Sequence, residues 1–486
     1  MAVGVSYAAD TPGFAQPMAA LALRLVALLL LCLPLPAFAA ESAATRVLDL
    51  TSHPIGLAAL AIFVIAYVLV VLEEKIHLRK SKPVMVAAAL IWLLIAIYAE
   101  GSPAAGPGFA AETFRHIFLE FCELFFFLIV AMSFVGAMGE RNVFESLRAE
   151  LVSRGLSYRS LFWLTGVISF FMSALLDNLT TALIMSAVIL AVGAGNARFI
   201  TLAFINLVVA ANAGGAWSAF GDITTLMVWQ AQRVDFFEFF AIFVPSVVNW
   251  FIPALCMSFA LPAGKPARKR DDADVKYGGW FVCALFAFTI TLTVSAKQFL
   301  HMPPVFGMMA GLGLLKLQGF FIRRHEKRAH AGKDAGEPYN VFAIIARAEW
   351  DTLLFFYGVL VCVGGLATLG FMQLASVHLY GGLGFTWANV IMGVLSAIVD
   401  NIPIMYAVLQ MAPPMDHGQW LLITLTCGVG GSLLSVGSAA GVALMGVSKG
   451  QYTFFGHLKW TWAIALGYIA SILVHLWLNA SHFTGT

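Results

Sequence analysis

Four acidic side chains stand inside stretches that are otherwise apolar: Asp177, Asp222, Asp400 and Glu123. A charge at such a position is costly unless it faces a wet cavity or a partner, so each is a candidate functional group. Asp177 and Asp400 are each followed by an asparagine, Asn178 and Asn401, and each preceded by a serine one turn upstream, Ser173 and Ser396. Asp222 closes a glycine-rich run that begins at Asn212, passes Gly214, Gly215 and Gly221, and continues into Thr224 and Thr225. Glycines there can open the helix ladder and free backbone carbonyls. Carboxylate, amide, hydroxyl and carbonyl oxygens are the hard donors that a dehydrated small cation prefers. The expected chemistry is capture of Na+ or Li+, with Na+ held at Asp177 and Asp222. In low dielectric a carboxylate also holds its proton more tightly than in water, so proton and cation compete for one site. That competition is an exchange mechanism.

These residues recur as a pattern. Ser173-Ala-Leu-Leu-Asp177-Asn178-Leu179 is matched by Ser396-Ala-Ile-Val-Asp400-Asn401-Ile402. Upstream, Glu123 and Gly136 match Asp351 and Gly364; downstream, Gly214, Gly215 and Gly221 match Gly430, Gly431 and Gly437. Three matched segments in one order imply an internal repeat, the commonest plan of secondary transporters. The second copy places Ser438, with Ser435 nearby, where the first has Asp222, so the site should be asymmetric. Some of these residues carry a plainer reading. Asp177 and Asp400 could cap broken helices, Ser173 and Ser396 could bond their own backbone one turn back, and Glu123 and Asp351 could mark helix ends. His116 reads as an interfacial histidine more readily than as a pH sensor.

The elements that must position these groups follow from composition. Hydrophobic residues make up 60% of the 486 positions and charged ones 11%, a balance that fits a chain solvated by lipid. About twenty apolar residues cross a bilayer core as helix. Such spans read at 55–73, 83–99, 117–138, 236–262, 279–296, 303–321, 351–374 and 456–478. Four further regions, 160–195, 197–230, 384–411 and 418–448, are apolar but interrupted by a polar or glycine-rich patch. Loops rich in Lys and Arg stay cytoplasmic. They include those holding Arg79, Lys80 and Lys82, then Arg141, Arg148 and Arg154, and then the basic loop 263–278. The count of crossings closes if 160–195 is a re-entrant hairpin, and the same device at 384–411 fits the second half. The basic loop follows the 117–138 span and precedes the 351–374 span, so the matched halves run in opposite directions. The fold expected is an all-α polytopic membrane protein of two inverted-topology repeats. Each repeat, 55–262 and 279–480, holds a re-entrant helical hairpin (160–195; 384–411) and a discontinuous transmembrane helix (197–230; 418–448). Residues 1–40 read as a signal peptide, with an extra N-terminal helix as the other reading.

Taken together, the segments Glu123-Leu-Phe-Phe-Phe127, Ser173 to Thr181, Asn212 to Ser218, Gly221 to Thr225, Glu349 to Phe356 and Ser396 to Pro403 resemble the NhaD-type sodium/proton antiporters of the ion transporter superfamily. The resemblance runs from about residue 55 to the end. It implies site roles for Ser173, Asp177, Asn178, Asn212, Asp222, Thr224 and Thr225, and in the second repeat for Ser396, Asp400, Asn401, Ser435 and Ser438. It also draws in His116, Glu123 and Asp351 as proton-relay or pH-response positions. Ala219 departs from the pattern, standing where the family usually has proline. The implied activity is exchange of cytoplasmic Na+ or Li+ for external protons in a bacterial inner membrane, with no cofactor. Its partners would be the bilayer and small monovalent cations, without nucleic acid, and a homodimer is compatible with it. An anion carrier of the same superfamily is the rival reading. The sequence offers it no Arg inside a span, and there is no His-Glu-x-x-His, Gly-x-Ser-x-Gly or P-loop motif to suggest an enzyme or an ATPase.

Overall fold

The computed structural model describes residues 47–103, 105–106, 108–193, 196–266, 273–329 and 339–483. The expected signal peptide or extra helix at 1–40 lies outside these residues, as do Arg268, Lys269, Arg270 and Lys333 of the basic loops. Every regular element among the described residues is helical. In chain order the principal helices are α1 (Pro54–Val71), α2 (Ser81–Gly101), α3 (Phe109–Glu140), α4 (Val143–Ser153), α5 (Tyr158–Leu176), α6 (Asn178–Val192), α7 (Ala197–Ala216), α8 (Ile223–Gln230) and α9 (Phe243–Ser258). They continue with α10 (Gly279–Leu300), α11 (Pro304–Ala329), α12 (Trp350–Thr368), α13 (Phe371–Leu383), α14 (Phe385–Val399), α15 (Asn401–Met411), α16 (His417–Gly430), α17 (Ala439–Val447) and α18 (Thr461–Leu478). Short helical turns make several connections.

Ten of the described helices are long and apolar enough to cross a membrane, and large apolar side chains such as Trp280, Phe299 and Trp477 are exposed on them. With backbone polar groups satisfied inside each helix, such faces suit lipid. This is a multi-pass membrane protein. The most apolar window of α7 is 94% buried against 17% for α1, so α7 is an axis of the molecule and α1 lies at its edge.

All four interrupted regions are broken helices. The first breaks at Asp177 between α5 and α6, and the third at Asp400 between α14 and α15. The other two break between α7 and α8 and between α16 and α17. The caps explain the restarts: Asp222 Oδ1 accepts from the Thr224 N–H at the start of α8, and Ser438 Oγ accepts from the Gly441 N–H at the start of α17. These two caps have nearly the same backbone conformation, φ −147°, ψ 154° and φ −143°, ψ 150°. The packing crosses over. The arm α15 lies against α8, and α6 lies against α17.

Several spans differ from the sequence reading, among them 303–321, whose helix runs on to Ala329. The 351–374 run is not one helix: α12 ends at Thr368, Gly370 turns the chain at φ +94°, and α13 follows, bent by 118° from α14. An isolated glycine among apolar residues barely changes hydropathy, which is why the break is invisible to a composition window. The 117–138 span starts earlier, at Phe109, because Glu112 and Arg115 interrupt the apolar pattern without interrupting the backbone ladder. Glu123 therefore sits near the middle of α3, not at its outer part. The 456–478 run divides into Phe454–Leu458 and α18.

Close approach of backbones holds the broken helices to their neighbours. A Cβ at Gly214 of α7 would collide with the Phe170 carbonyl of α5, and one at Gly430 of α16 with the Gly393 carbonyl of α14. Gly214→Ala should thus destabilise the protein by about 2 kcal/mol through overpacking. Gly313→Ala in α11, where a Cβ meets nothing within 4 Å, should stabilise it by up to about 1 kcal/mol through helix propensity. Opposite shifts of the thermal midpoint, read by intrinsic fluorescence of the purified protein in detergent, are the expected outcome.

Candidate functional site

The helix breaks converge on Asp222. Asn178 Nδ2 donates to its Oδ2 at 3.2 Å, and Asn401 Nδ2 donates to the same oxygen at 2.7 Å. One carboxylate thus receives an amide from each Asp-Asn junction. Asp222 is only 4% exposed. Its own amide donates to Thr225 Oγ1 at 3.3 Å, which completes the cap and fixes the carboxylate relative to α8. Thr224 Oγ1 beside it is buried and has no hydrogen-bond partner among the described residues, an acceptor left free in the same turn.

Asn178 also donates to Asn212 Oδ1 at 3.0 Å, and Asn212 Nδ2 donates to Ser432 Oγ at 2.8 Å. Asn212 therefore ties the first junction to the end of α16. The two junction aspartates have matching geometry, φ 58°, ψ 158° at Asp177 and φ 78°, ψ 145° at Asp400. Asp177 accepts the Thr180 N–H and the Thr180 hydroxyl, each at 2.8 Å. Asp400 Oδ1 accepts the Asn401 N–H at 2.8 Å, and its Oδ2 lies 3.7 Å from Lys80 Nζ.

A cavity of about 830 Å³ of empty space, part of it open to solvent, joins these groups. Its polar lining is Asp177, Asn178, Asp222, Asp400, Asn401, Thr352 and Lys80; the rest is mainly apolar, from α3, α8 and the helix junctions. Three carboxylates and neutral amides around one cavity supply oxygen donors of the kind a small hard cation prefers. Hydrogen-bond donors from the asparagines hold Asp222 in place without cancelling its charge.

Other expected site residues fall elsewhere. Ser173 Oγ donates to the Ala211 carbonyl at 2.6 Å, across to α7 and not back along its own helix; Ser396 Oγ donates to the Gly393 carbonyl at 2.8 Å and lies 3.2 Å from the Cys427 carbonyl of α16. Both act as struts between a junction arm and the neighbouring broken helix. Ser435 Oγ faces Met445 Sδ at 3.4 Å, and Ser438 caps α17. Asp351 accepts a hydrogen bond from Ser81 at the start of α2. Glu123 is half-buried and His116 exposed on α3, and neither lines the cavity.

Three participants escaped the sequence reading. Lys80 had been assigned to a cytoplasmic loop, and nothing local in the sequence tells a loop lysine from one that reaches a cavity. Ser432 stands inside the glycine-rich run but has no partner visible before folding. Glu120 accepts the Tyr406 hydroxyl of α15 at 2.9 Å; applying the buried-acid criterion to the whole of α3 would have found it.

Residues 18–428 match the citrate transporter family. Over 476 residues the chain is 53% identical to the Na+/H+ antiporter NhaD of Alkalimonas amylolytica, covering 94% of this chain and 97% of the relative. It is 50% identical to the Na+/H+ antiporter NhaD of Vibrio cholerae, covering 94% and 99%. The chain belongs to the NhaD family. A more distant relative, sodium/proton antiporter 1 of Arabidopsis thaliana, is 30% identical over 87% of this chain and 72% of its own length. Asp177, Asp222 and Asp400 thus stand together in a chain whose relatives are sodium/proton antiporters.

Proposed function

We propose that the protein is a Na+/H+ antiporter that also accepts Li+, working by competition of cation and proton for Asp222 and its neighbours Asp177 and Asp400. The observation that carries this reading is the double anchoring of the Asp222 carboxylate by Asn178 and Asn401 at the meeting point of four broken helices. Loading a cation there expels protons; protons arriving from the other face expel the cation. Because both ligands use the same oxygens, apparent Na+ affinity falls as the pH drops. Broken helices let carbonyls and caps serve the ion without leaving unsatisfied backbone in lipid.

In this reading the chain comprises two inverted repeats in a bacterial inner membrane. The loop containing Lys80, the α3–α4 connection with Arg141 and the Arg347 segment face the cytoplasm. The cavity is lined from Lys80 at the start of α2, from Thr352 near the start of α12 and from the half of α3 that leads to Arg141. It accordingly opens inward.

The citrate transporter description of the wider family raises the anion alternative. A tricarboxylate entering this cavity would meet three carboxylates and a single ammonium, and like charges at contact distance repel by several kcal/mol even in a polar interior. The test is transport by protein reconstituted in vesicles with an acidic lumen. Adding Na+ or Li+ should alkalinise the lumen within seconds, whereas K+ should not. Accumulation of labelled citrate with no response to either cation would replace this reading with the anion carrier.

A further inference from the structure

Among the described residues, Lys80 is the only cationic side chain lining the cavity. It stands immediately before α2 and reaches Asp400 Oδ2 at 3.7 Å, longer than a hydrogen bond, while its Nζ lies 4.5 Å from the centre of the Phe355 ring. Both side chains of the pair are largely buried, at 20% and 16% exposure. The ammonium is thus held by one carboxylate on one side and an aromatic face on the other, a setting that favours a compact cation over a bulky one. Across the cavity Asp222 and Asp177 have amide and hydroxyl donors and, among the described residues, no cationic partner.

We infer that Lys80 is a tethered competitor of the transported ion: its ammonium occupies Asp400 when the cavity is empty and must be displaced, or must share the carboxylate, when Na+ binds. The proposal rests on the antiporter reading and adds to it a residue that sets cation affinity. Three carboxylates without a counter-ion would bind Na+ tightly and release it slowly. A tethered ammonium supplies part of that charge compensation, cannot leave with the cargo, and returns to Asp400 as the ion departs. It raises the Na+ concentration needed for loading and speeds unloading. Lys80 acts here on the ligand Asp400 and is a positioning and affinity-setting residue.

The experiment measures equilibrium binding of radioactive Na+ to purified protein, together with the half-saturating Na+ concentration and maximal rate of exchange in vesicles. The variants are Lys80→Met, Lys80→Gln and Lys80→Arg. Loss of the ammonium should tighten Na+ binding about 5-fold and lower the half-saturating concentration and the maximal rate together. Lys80→Arg, which keeps a cation, should remain within about 2-fold of the wild type. In an Asp400→Asn background, Lys80→Met should change binding no further. Unchanged or weaker Na+ binding by the folded Lys80→Met or Lys80→Gln protein overturns the proposal, and a merely structural lysine would give that result. Lys80→Gln serves if Lys80→Met does not fold. A wild-type protein that binds and exchanges no Na+ or Li+ would instead overturn the antiporter reading itself.

Discussion

Asp222→Asn should abolish Na+-driven exchange, lowering it by about 100-fold or more, while the purified protein keeps its thermal midpoint. The replacement is isosteric and asparagine is as good a helix N-cap as aspartate, so the start of α8 stays in place. What disappears is the charge. Asn178 and Asn401 donate to one carboxylate oxygen at 3.2 and 2.7 Å, and hydrogen bonds to an ionised acceptor are worth about 1.5–3 kcal/mol each. Losing about 3 kcal/mol of ion binding corresponds to roughly 100-fold in affinity. The neutral side chain also takes up no proton, so the coupled half of the cycle stops as well. Removing a buried, incompletely compensated charge should leave the folded state as stable as before or more so. Dye-reported alkalinisation in vesicles and a fluorescence melt of the same preparation check both halves. Exchange surviving in a well-folded variant would move the cation to Asp177 or Asp400 and leave Asp222 as a cap.

How much of this was legible beforehand follows from the kind of signal each feature leaves. Asp177, Asp222 and Asp400 were readable because an acid inside an apolar run is expensive and therefore conspicuous. The breaks around them were readable because glycines and Asp-Asn pairs interrupt hydropathy where a plain span should be most apolar. The role of Asn401 was guessed only in outline. That it reaches across to Asp222, 179 positions away in the chain, is a property of tertiary packing, as is the Asn212–Ser432 bond between α7 and the turn that follows α16. Lys80 was legible only as a loop lysine, for the opposite reason. A lysine in a basic loop satisfies the topological rule perfectly well, and the four-carbon stem that carries its charge into the cavity leaves no mark on the pattern. Ser173 and Ser396 were readable as polar positions on the right helices; Ser396 bonds its own backbone at Gly393, as the sequence allows, but the reach of Ser173 to the Ala211 carbonyl and of Ser396 to the Cys427 carbonyl was not legible. The turn at Gly370 shows the same limit at the level of elements, since hydropathy reports burial in lipid and is blind to where a continuous apolar run changes direction.

Asp177→Gly separates capping from chemistry at the first junction, and it should give a protein that is no less stable but inactive. Asp177 sits at φ 58°, ψ 158°, a region that only glycine enters freely, and holding any other residue there costs about 1–3 kcal/mol. Glycine would relieve that strain. It would also lose the two hydrogen bonds from Thr180, but glycine at an N-cap is worse than aspartate by only a few tenths of a kcal/mol. The net change expected is a thermal midpoint equal to or above that of the wild type. If Asp177 served only to cap α6, exchange would survive, because the backbone and the helix start are kept. If its carboxylate is part of the cation site, exchange should fall by at least about 10-fold, the equivalent of about 1.4 kcal/mol of ion binding. Asp400, at φ 78°, ψ 145°, occupies the same kind of backbone position, so Asp400→Gly provides a second, independent trial of the same argument. A carboxylate kept twice in a conformation that favours glycine is costly for the fold, and the charge it brings to the cavity is the physical return that would offset that cost.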